Sequence, residues 1–179
     1  MMKSMTTISL PASLSLGIAA LFLARAIPKC MAFSPTPAQR ESVVKSYFDG
    51  VNKKNRDQIA NCFTIEASIT DVCALNSGER TVNSDVLADR CMEFLAAHPD
   101  CVVDFHYGPK CSHDDNWVVA HWYETGHWSG DSKGIKATGN PMTVEGQTRF
   151  LVNDDLKITK FVVTRTFTEW EETLQRNNV

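Results

Sequence analysis

The sequence predicts an α+β fold in which three N-terminal helices pack on one face of a strongly curved antiparallel β-sheet. Two observations carry this prediction. Apolar residues recur at helical spacing between residues 44 and 95, whereas residues 117–165 alternate with a period of two and are rich in β-branched side chains. A Gly-rich connection and an Asn-Asp-Asp turn divide the second region into successive strands.

The composition is that of a soluble globular protein. The 179 residues suit one domain of ordinary size together with an N-terminal segment of different character. A net charge of -3, a pI near 5.9 and the lack of a Lys/Arg cluster in the sequence argue against a nucleic-acid-binding face. We therefore predict no nucleic-acid partner.

The first 32 residues predict a signal peptide. Lys3 precedes an uncharged run over residues 5–24, and residues 30–32 (Cys-Met-Ala) fit the small-x-small rule, with cleavage before Phe33. A membrane anchor is the alternative. Pro11 and the many Ser and Thr residues leave the apolar run short of the roughly 20 residues that a spanning helix needs. We expect no stable membrane span after processing.

The junction at residues 31–35 (Met-Ala-Phe-Ser-Pro) resembles the Ala-Phe junction of the bipartite presequences of diatoms and related algae. In those presequences a signal peptide is followed by a transit segment that opens with Phe. The resemblance implies entry into the secretory pathway and a plastid address, with residues 33–38 as a short transit or linker segment. Secretion and the endomembrane lumen remain open.

Three helices are predicted in the first half of the mature chain. The first carries an apolar stripe at helical spacing, and the second follows from Asp57 to Phe63. A short strand over 67–72 and a loop over 76–80 lead to a third helix, which Ser84 caps and the His98-Pro99-Asp100 sequence ends. The stripe of the first helix consists of Val44, Tyr47, Phe48 and Val51.

The predicted sheet contains a strand over 101–107 and three further strands. In the strand over 117–128, alternation puts Glu124 on an otherwise apolar and aromatic face, together with Val118, Ala120, Trp122, Gly126 and Trp128. A second strand presents Val144, Gly146, Thr148, Phe150 and Val152 on one face, and residues 158–166 form the last strand. One acidic group on an apolar inner face is the feature that matters for function.

Glu124 and Asp71 are the candidate catalytic residues. A carboxyl between the aromatic walls Trp122 and Trp128 should have a raised pKa, which suits a general acid or base. The alternative for Glu124 is a strand edge or bulge that turns it to solvent. Asp71 ends the first strand and could reach the mouth of a pocket, or it could cap a turn.

The remaining polar and aromatic residues allow two interpretations each. The tryptophans could be core residues or the walls of a site for a flat apolar molecule, and we take Trp122, Trp128, Thr148, Phe150 and Tyr47 as the candidate substrate-binding residues.

His106, His113 and His127 are expected at the surface without metal-ligand spacing, so we predict no metal and no cofactor. Outside the signal peptide the cysteines are Cys62, Cys73, Cys91, Cys101 and Cys111; their pairing stays open, and buried free thiols are the simplest interpretation.

The mature chain resembles the SnoaL-like polyketide cyclase branch of the cone-shaped nuclear transport factor 2-like superfamily. The segment over residues 125–131 (TGHWSGD), with Gly134-Ile135 and Thr138-Gly139 after it, is similar to the family's Gly-Thr-His-Thr-Gly-Glu, Gly-Ile and Thr-Gly-Lys, and His98-Pro99-Asp100 resembles its Phe-Pro-Asp. The resemblance implies a pocket enclosed between helices and sheet, a SnoaL-like domain over 39–175, and a C-terminal tail over 176–179.

The departures from this family bear on the chemistry. Where its cyclases use a His and an Asp for acid-base steps, this chain has Trp128 and Thr148, neither of which exchanges a proton at neutral pH. Two classes of function remain. One is an enzyme that moves a proton on a small, largely apolar carbonyl compound, as an isomerase, cyclase or dehydratase does. The other is a non-catalytic carrier or a dimeric assembly domain.

The outer face of the sheet predicts a partner. We define the outer sheet face by its semi-polar residues in the strand over 117–128, which are too aromatic for bare solvent and too polar for a core. The sequence, like the resemblance, therefore predicts an isologous homodimer through this face. The residues that define it are His121, Tyr123, Thr125 and His127.

Overall fold

The computed structural model describes residues 34–74 and 77–177. The predicted signal peptide and its cleavage site lie outside these residues, as do Asn76 of the predicted loop and residues 178–179 of the predicted tail. Within the described residues, no helix is long and apolar enough to cross a membrane.

Helices and strands alternate irregularly along the described residues. They are α1 (Pro37–Asn52), α2 (Arg56–Asn61), β1 (Phe63–Asp71), β2 (Arg80–Asn83), α3 (Ser84–Ala97), β3 (Val102–Cys111), β4 (Trp117–His127), β5 (Pro141–Val152), β6 (Ile158–Arg165) and α4 (Glu169–Asn177). The first helix therefore begins within the segment 33–38, and the last reaches residue 177.

The three predicted N-terminal helices are confirmed. Helix α1 begins at a capping box in which Thr36 and Gln39 satisfy each other's backbone N–H groups, and its predicted apolar stripe is buried. Helix α3 is capped by Asn83 rather than Ser84, because the Asn83 side chain accepts from the N–H of Asp85. Helix α4 was not predicted, since it lies beyond the last strand and carries few apolar residues.

The sheet is mixed, which corrects the prediction of an antiparallel sheet. Its strand order is β2-β1-β6-β5-β4-β3, and all neighbours are antiparallel except β1 and β6, which run parallel. This pair joins the first strand to the last. The alternation of residues within a strand does not reveal the direction of a partner strand that is distant in the sequence. Strand β2, which starts where a loop was predicted, is a short edge strand and largely exposed.

The predicted inner face of the sheet is confirmed for β4 and β5. Every second residue of β5, from Met142 to Val152, is buried, and Val118, Ala120 and Trp122 of β4 are buried beside them. Tyr47 and Phe48 of α1 pack on the buried ring of Phe150, with ring centroids 5.7 and 5.8 Å away. The core thus lies between the helices and this face. The five cysteines in the described residues are free, with Cys62 and Cys101 buried.

Candidate functional site

A cavity of about 660 Å³ lies between the helices and part of the inner face of the sheet. Its volume is within the range of about 300–1,000 Å³ that is usual for small-molecule sites. Most of its walls are apolar, and ionisable side chains from β1, β4, β6 and α4 enter it together. The apolar and aromatic walls are Tyr47, Phe48, Val51, Ile69, Leu87, Phe94, Leu95, Trp122, Phe161, Val163, Trp170 and Leu174.

Glu124 lies on the cavity wall and not on the outer sheet face. Strand β4 pairs with β5 without a break from Trp117 to His127, so the alternation that buries Trp122 carries through to Glu124. Its carboxyl is half-buried and faces the cavity. Burial raises the pKa of Glu124 to about 7; the nearby Arg165 guanidinium opposes this rise and the Glu171 carboxylate adds to it. At neutral pH this carboxyl can therefore either accept or donate a proton.

Arg165 of β6 is held by two other carboxylates. It donates to both oxygens of Glu171 at 2.6 and 2.9 Å and to Asp71 at 3.1 Å. All three side chains are largely withdrawn from solvent, with 19% of Arg165 and 14% of each carboxylate exposed. Because one guanidinium already serves two carboxylates, it offsets the charge of Glu124 only in part. This explains how Glu124 keeps a raised pKa beside an arginine.

Asp71, the second candidate, lines the cavity but is engaged on both sides. One carboxylate oxygen receives the Arg165 contact, and the other accepts from the backbone N–H of Cys73 at 3.2 Å, which is the turn-capping arrangement that was the alternative for this residue. The structure therefore brings Asp71 and Glu124 to one cavity through their common neighbour Arg165. Asp71 has the geometry of a positioning residue.

Arg165 and Glu171 were not identified from the sequence. Glu171 is placed by a capping box at the start of α4, in which the Thr168 hydroxyl accepts from the Glu171 N–H at 3.2 Å and the Glu171 carboxylate accepts from the Thr168 N–H at 3.1 Å. Trp170 and Leu174, four residues apart, turn the apolar side of α4 to the cavity. The Thr-x-x-Glu pattern at residues 168–171 is the signal that could have revealed this helix.

Tyr47 brings a hydroxyl to the same cavity from α1. Burial, above all, together with a hydrogen bond to Cys91 and the nearby Glu124 carboxyl, raises the pKa of Tyr47 well above its usual value. Burial likewise raises the pKa of the Cys91 thiol to about 11. Both groups therefore keep their protons at neutral pH, and Tyr47 acts as a hydrogen-bond donor and not as a base.

Trp122 and Thr148 form a fixed pair on the cavity wall. The indole N–H of Trp122 donates to the Thr148 hydroxyl at 2.8 Å, so the Thr148 O–H remains able to donate to a ligand. Gly146, opposite Trp122 in the β4–β5 register, makes room for the indole, since a Cβ at this position would lie 2.3 Å from its ring. The pair is a rigid apolar wall with one polar point.

Two of the predicted substrate-binding residues lie away from this cavity. Phe150 is fully buried behind Tyr47 and Phe48. Trp128 follows the end of β4, so alternation no longer governs its direction; it packs with Trp170 and lines a separate cavity of about 140 Å³ beside His98. Tyr47, Trp122 and Thr148 do line the main cavity.

Among the described residues, one group of three metal-type ligands comes within mutual reach, and it lies outside the cavity. It consists of His106, His121 and Glu145, whose ligand atoms are all within 4.8 Å of one another. In the cavity itself, the Asp71 and Glu171 carboxylates are held by Arg165. The cavity arrangement is suited to acid-base work by Glu124 in a largely apolar enclosure.

Comparison with solved structures gives the fold. AclR of Streptomyces galilaeus, a provisionally assigned hydroxylase, superposes with a TM-score of 0.63 at 14% identity, over 79% of this chain and 83% of its own. A provisionally assigned SnoaL-like polyketide cyclase of Jannaschia sp. CCS1 gives 0.60 at 18% identity, over 79% and 92%. SalBIII, an epoxide hydrolase/cyclase-like enzyme with a role in pyran ring formation in the polyether salinomycin, gives 0.58 at 16% identity, over 74% and 94%.

No curated protein shows a significant sequence match to the chain. A family model does match: the SnoaL-like domain, over residues 44–161, a span that runs from the middle of α1 to the middle of β6. The chain belongs to the SnoaL-like domain family, within the nuclear transport factor 2-like superfamily.

Proposed function

We propose that this protein binds a small, largely apolar carbonyl compound in the cone cavity and that Glu124 moves a proton on it. The observation that carries the proposal is the position of Glu124, a cavity-facing carboxyl with a pKa near 7 among apolar walls. A general acid or base is most effective when its pKa lies near the working pH.

The proposed proton step uses three side chains of the cavity. The ionised Glu124 removes a proton from the carbon next to the ligand carbonyl, and the electron pair of that C–H bond moves to the carbonyl oxygen. The Thr148 hydroxyl, or the Tyr47 hydroxyl once it leaves Cys91, donates a hydrogen bond to the oxygen as its charge grows. Protonated Glu124 then returns the proton to the same carbon or to a conjugated one. Proton and electrons balance within the ligand, so the step needs no co-reactant.

A non-catalytic carrier is the second candidate. It is favoured by the residues that stand where the family's cyclases have an acid-base His and Asp, which are Trp128 and Thr148 here. Trp128 packs outside the main cavity, and Thr148 is hydrogen-bonded to Trp122. A carrier would use the cavity walls and the Thr148 hydroxyl for binding, with Glu124 as an ordinary polar contact.

The variant Glu124→Gln separates these candidates, because it keeps size and hydrogen bonding but loses the titrating proton. Native mass spectrometry of protein from its own organism would first identify a retained ligand. In an enzyme, Glu124→Gln lowers turnover of that compound by about 10²–10⁴-fold while binding persists. In a carrier the ligand is recovered unchanged, and Trp122→Ala weakens binding more than Glu124→Gln does. Glu66→Gln, on the exposed side of β1, is the matched control.

A ligand-free protein that also fails to bind small α,β-unsaturated ketones would contradict both candidates. Full turnover by Glu124→Gln, with the variant folded, would contradict the enzyme alone.

A further inference from the structure

A second cluster of chemistry-bearing side chains lies on the opposite side of the sheet from the cavity. His106, His121 and Glu145 come from three adjacent strands, β3, β4 and β5. The His106 Nε2 and Glu145 Oε1 atoms are 3.5 Å apart, and the centroids of the two imidazole rings are 4.6 Å apart. All three ligand atoms lie within 4.8 Å of one another.

A β-bulge creates the cluster. On β3 the pairing passes from Phe105 opposite Trp122 to Tyr107 opposite His121, so β3 advances by two residues while β4 advances by one. His106 is the extra residue at this step. Bulges redirect side chains and are common beside functional sites. Here the bulge sets the His106 ring against both His121 and Tyr123.

Neighbouring tyrosine rings pack against the two imidazoles. Tyr107 packs edge-on against His121, with ring centroids 5.3 Å apart, and its hydroxyl accepts a hydrogen bond from Gln147 of β5. On the other side, the Tyr123 hydroxyl donates to Asp104 at 3.2 Å. In the single chain the cluster is accessible to solvent, since 42% of the His106 side chain and 59% of the Glu145 side chain are exposed.

We propose that His106, His121 and Glu145 form a binding site for a zinc ion on the outer sheet face. Two imidazoles and one carboxylate are a zinc ligand set that leaves one position open for water or a further ligand. In a tetrahedral zinc site the ligand atoms are about 3.3–3.6 Å apart, given Zn–ligand distances of about 2.0–2.2 Å. The 3.5 Å between His106 and Glu145 already meets this spacing. The other separations are within 4.8 Å and would close by rotation of the exposed His106 and Glu145 side chains.

The site is independent of the cavity and of its proposed chemistry. The inner and outer residues of β4 alternate, so Trp122 and Glu124 face the cavity while His121 and Tyr123 face the other way. A substitution in the zinc cluster should therefore leave ligand binding in the cavity unchanged, and the reverse also holds.

Calorimetric titration of the purified, tag-free protein with zinc chloride tests the proposal. We expect one zinc ion per chain. His106→Gln and His121→Gln should each weaken zinc binding by more than about 100-fold. Mutation of a residue that only hydrogen-bonds to a metal ligand already lowers metal affinity by about 10–100-fold. The control His113→Gln, an exposed histidine of the β3–β4 loop, should bind as the parent does. No zinc binding, or equal binding by all these variants, would overturn the proposal.

Two further measurements establish which side chains hold the ion. Cobalt(II) substituted for zinc should show a spectrum of nitrogen and oxygen ligands; a thiolate charge-transfer band would place the ion at a cysteine such as the exposed Cys73 and overturn the assignment. If the histidine variants do not fold, crystals of the parent protein grown with zinc give the answer. Anomalous density between His106, His121 and Glu145 supports the site, and density elsewhere alone refutes it.

Discussion

The stability of the protein should depend on the protonation of Glu124. Its pKa rises from a reference of 4.5 to about 7 on folding, so the folded state holds a proton that the unfolded state releases. A raised folded-state pKa contributes stability that is complete below pH 4.5 and is lost as the pH rises through 7. With about 1.36 kcal/mol for each pKa unit, the whole loss is about 3 kcal/mol, of which about 2.5 kcal/mol falls between pH 5 and pH 8.

Urea unfolding of the parent protein and of Glu124→Gln across this pH range measures the effect. Gln does not titrate, so the unfolding free energy of the variant minus that of the parent should grow by about 2.5 kcal/mol from pH 5 to pH 8. Groups that titrate in both proteins, such as the buried His98, cancel in this difference. Glu66→Gln, at an exposed position, should give a flat difference. A flat difference for Glu124→Gln would refute the account of a carboxyl whose pKa is raised by burial.

Three further predictions concern packing, assembly and processing. Gly146→Ala should displace the Trp122 ring and lower the unfolding free energy by about 1–3 kcal/mol in urea melts, whereas Gly108→Ala, with open space around it, should not; equal effects would contradict the close contact. We propose a homodimer through the outer sheet face, and analytical ultracentrifugation in the presence of a chelator should find it at micromolar concentration; a monomer there counts against it. We also propose cleavage before Phe33 and a plastid address: N-terminal sequencing should begin at or near that residue, and a fluorescent fusion should enter the plastid, while an intact N-terminus or a cytosolic signal would contradict the proposal.

Much of the cavity wall follows from local sequence pattern. Alternation is a property of the strand backbone, so Trp122, Glu124 and Thr148 could be assigned to one sheet face before any tertiary contact was known. Helical spacing likewise identified Tyr47 as a core-facing residue. The raised pKa of Glu124 was predicted from its apolar strand neighbours, and burial in the cavity wall acts in that direction.

The same reasoning failed where a strand ended. Trp128 continues the alternation of β4 in sequence, but the strand stops at His127 and the next residues form an irregular connection. Its ring consequently packs with Trp170 in a separate cluster. A period of two carries information only as far as the hydrogen-bonded ladder that enforces it.

Local pattern was enough to predict the three N-terminal helices, the inner face of the central strands and the one acidic group of that face, and the resemblance of short motifs indicated the family. The surroundings of this group depend on contacts between distant parts of the chain. Asp71 and Arg165 are 94 residues apart and meet because β1 and β6 pair in parallel, and Glu171 joins them through α4. His106, His121 and Glu145 likewise meet through a bulge and two strand registers. Periodicity reports which way a side chain points within its own element, whereas these contacts depend on strand order, register and the desolvation of the assembled core, which no local window contains.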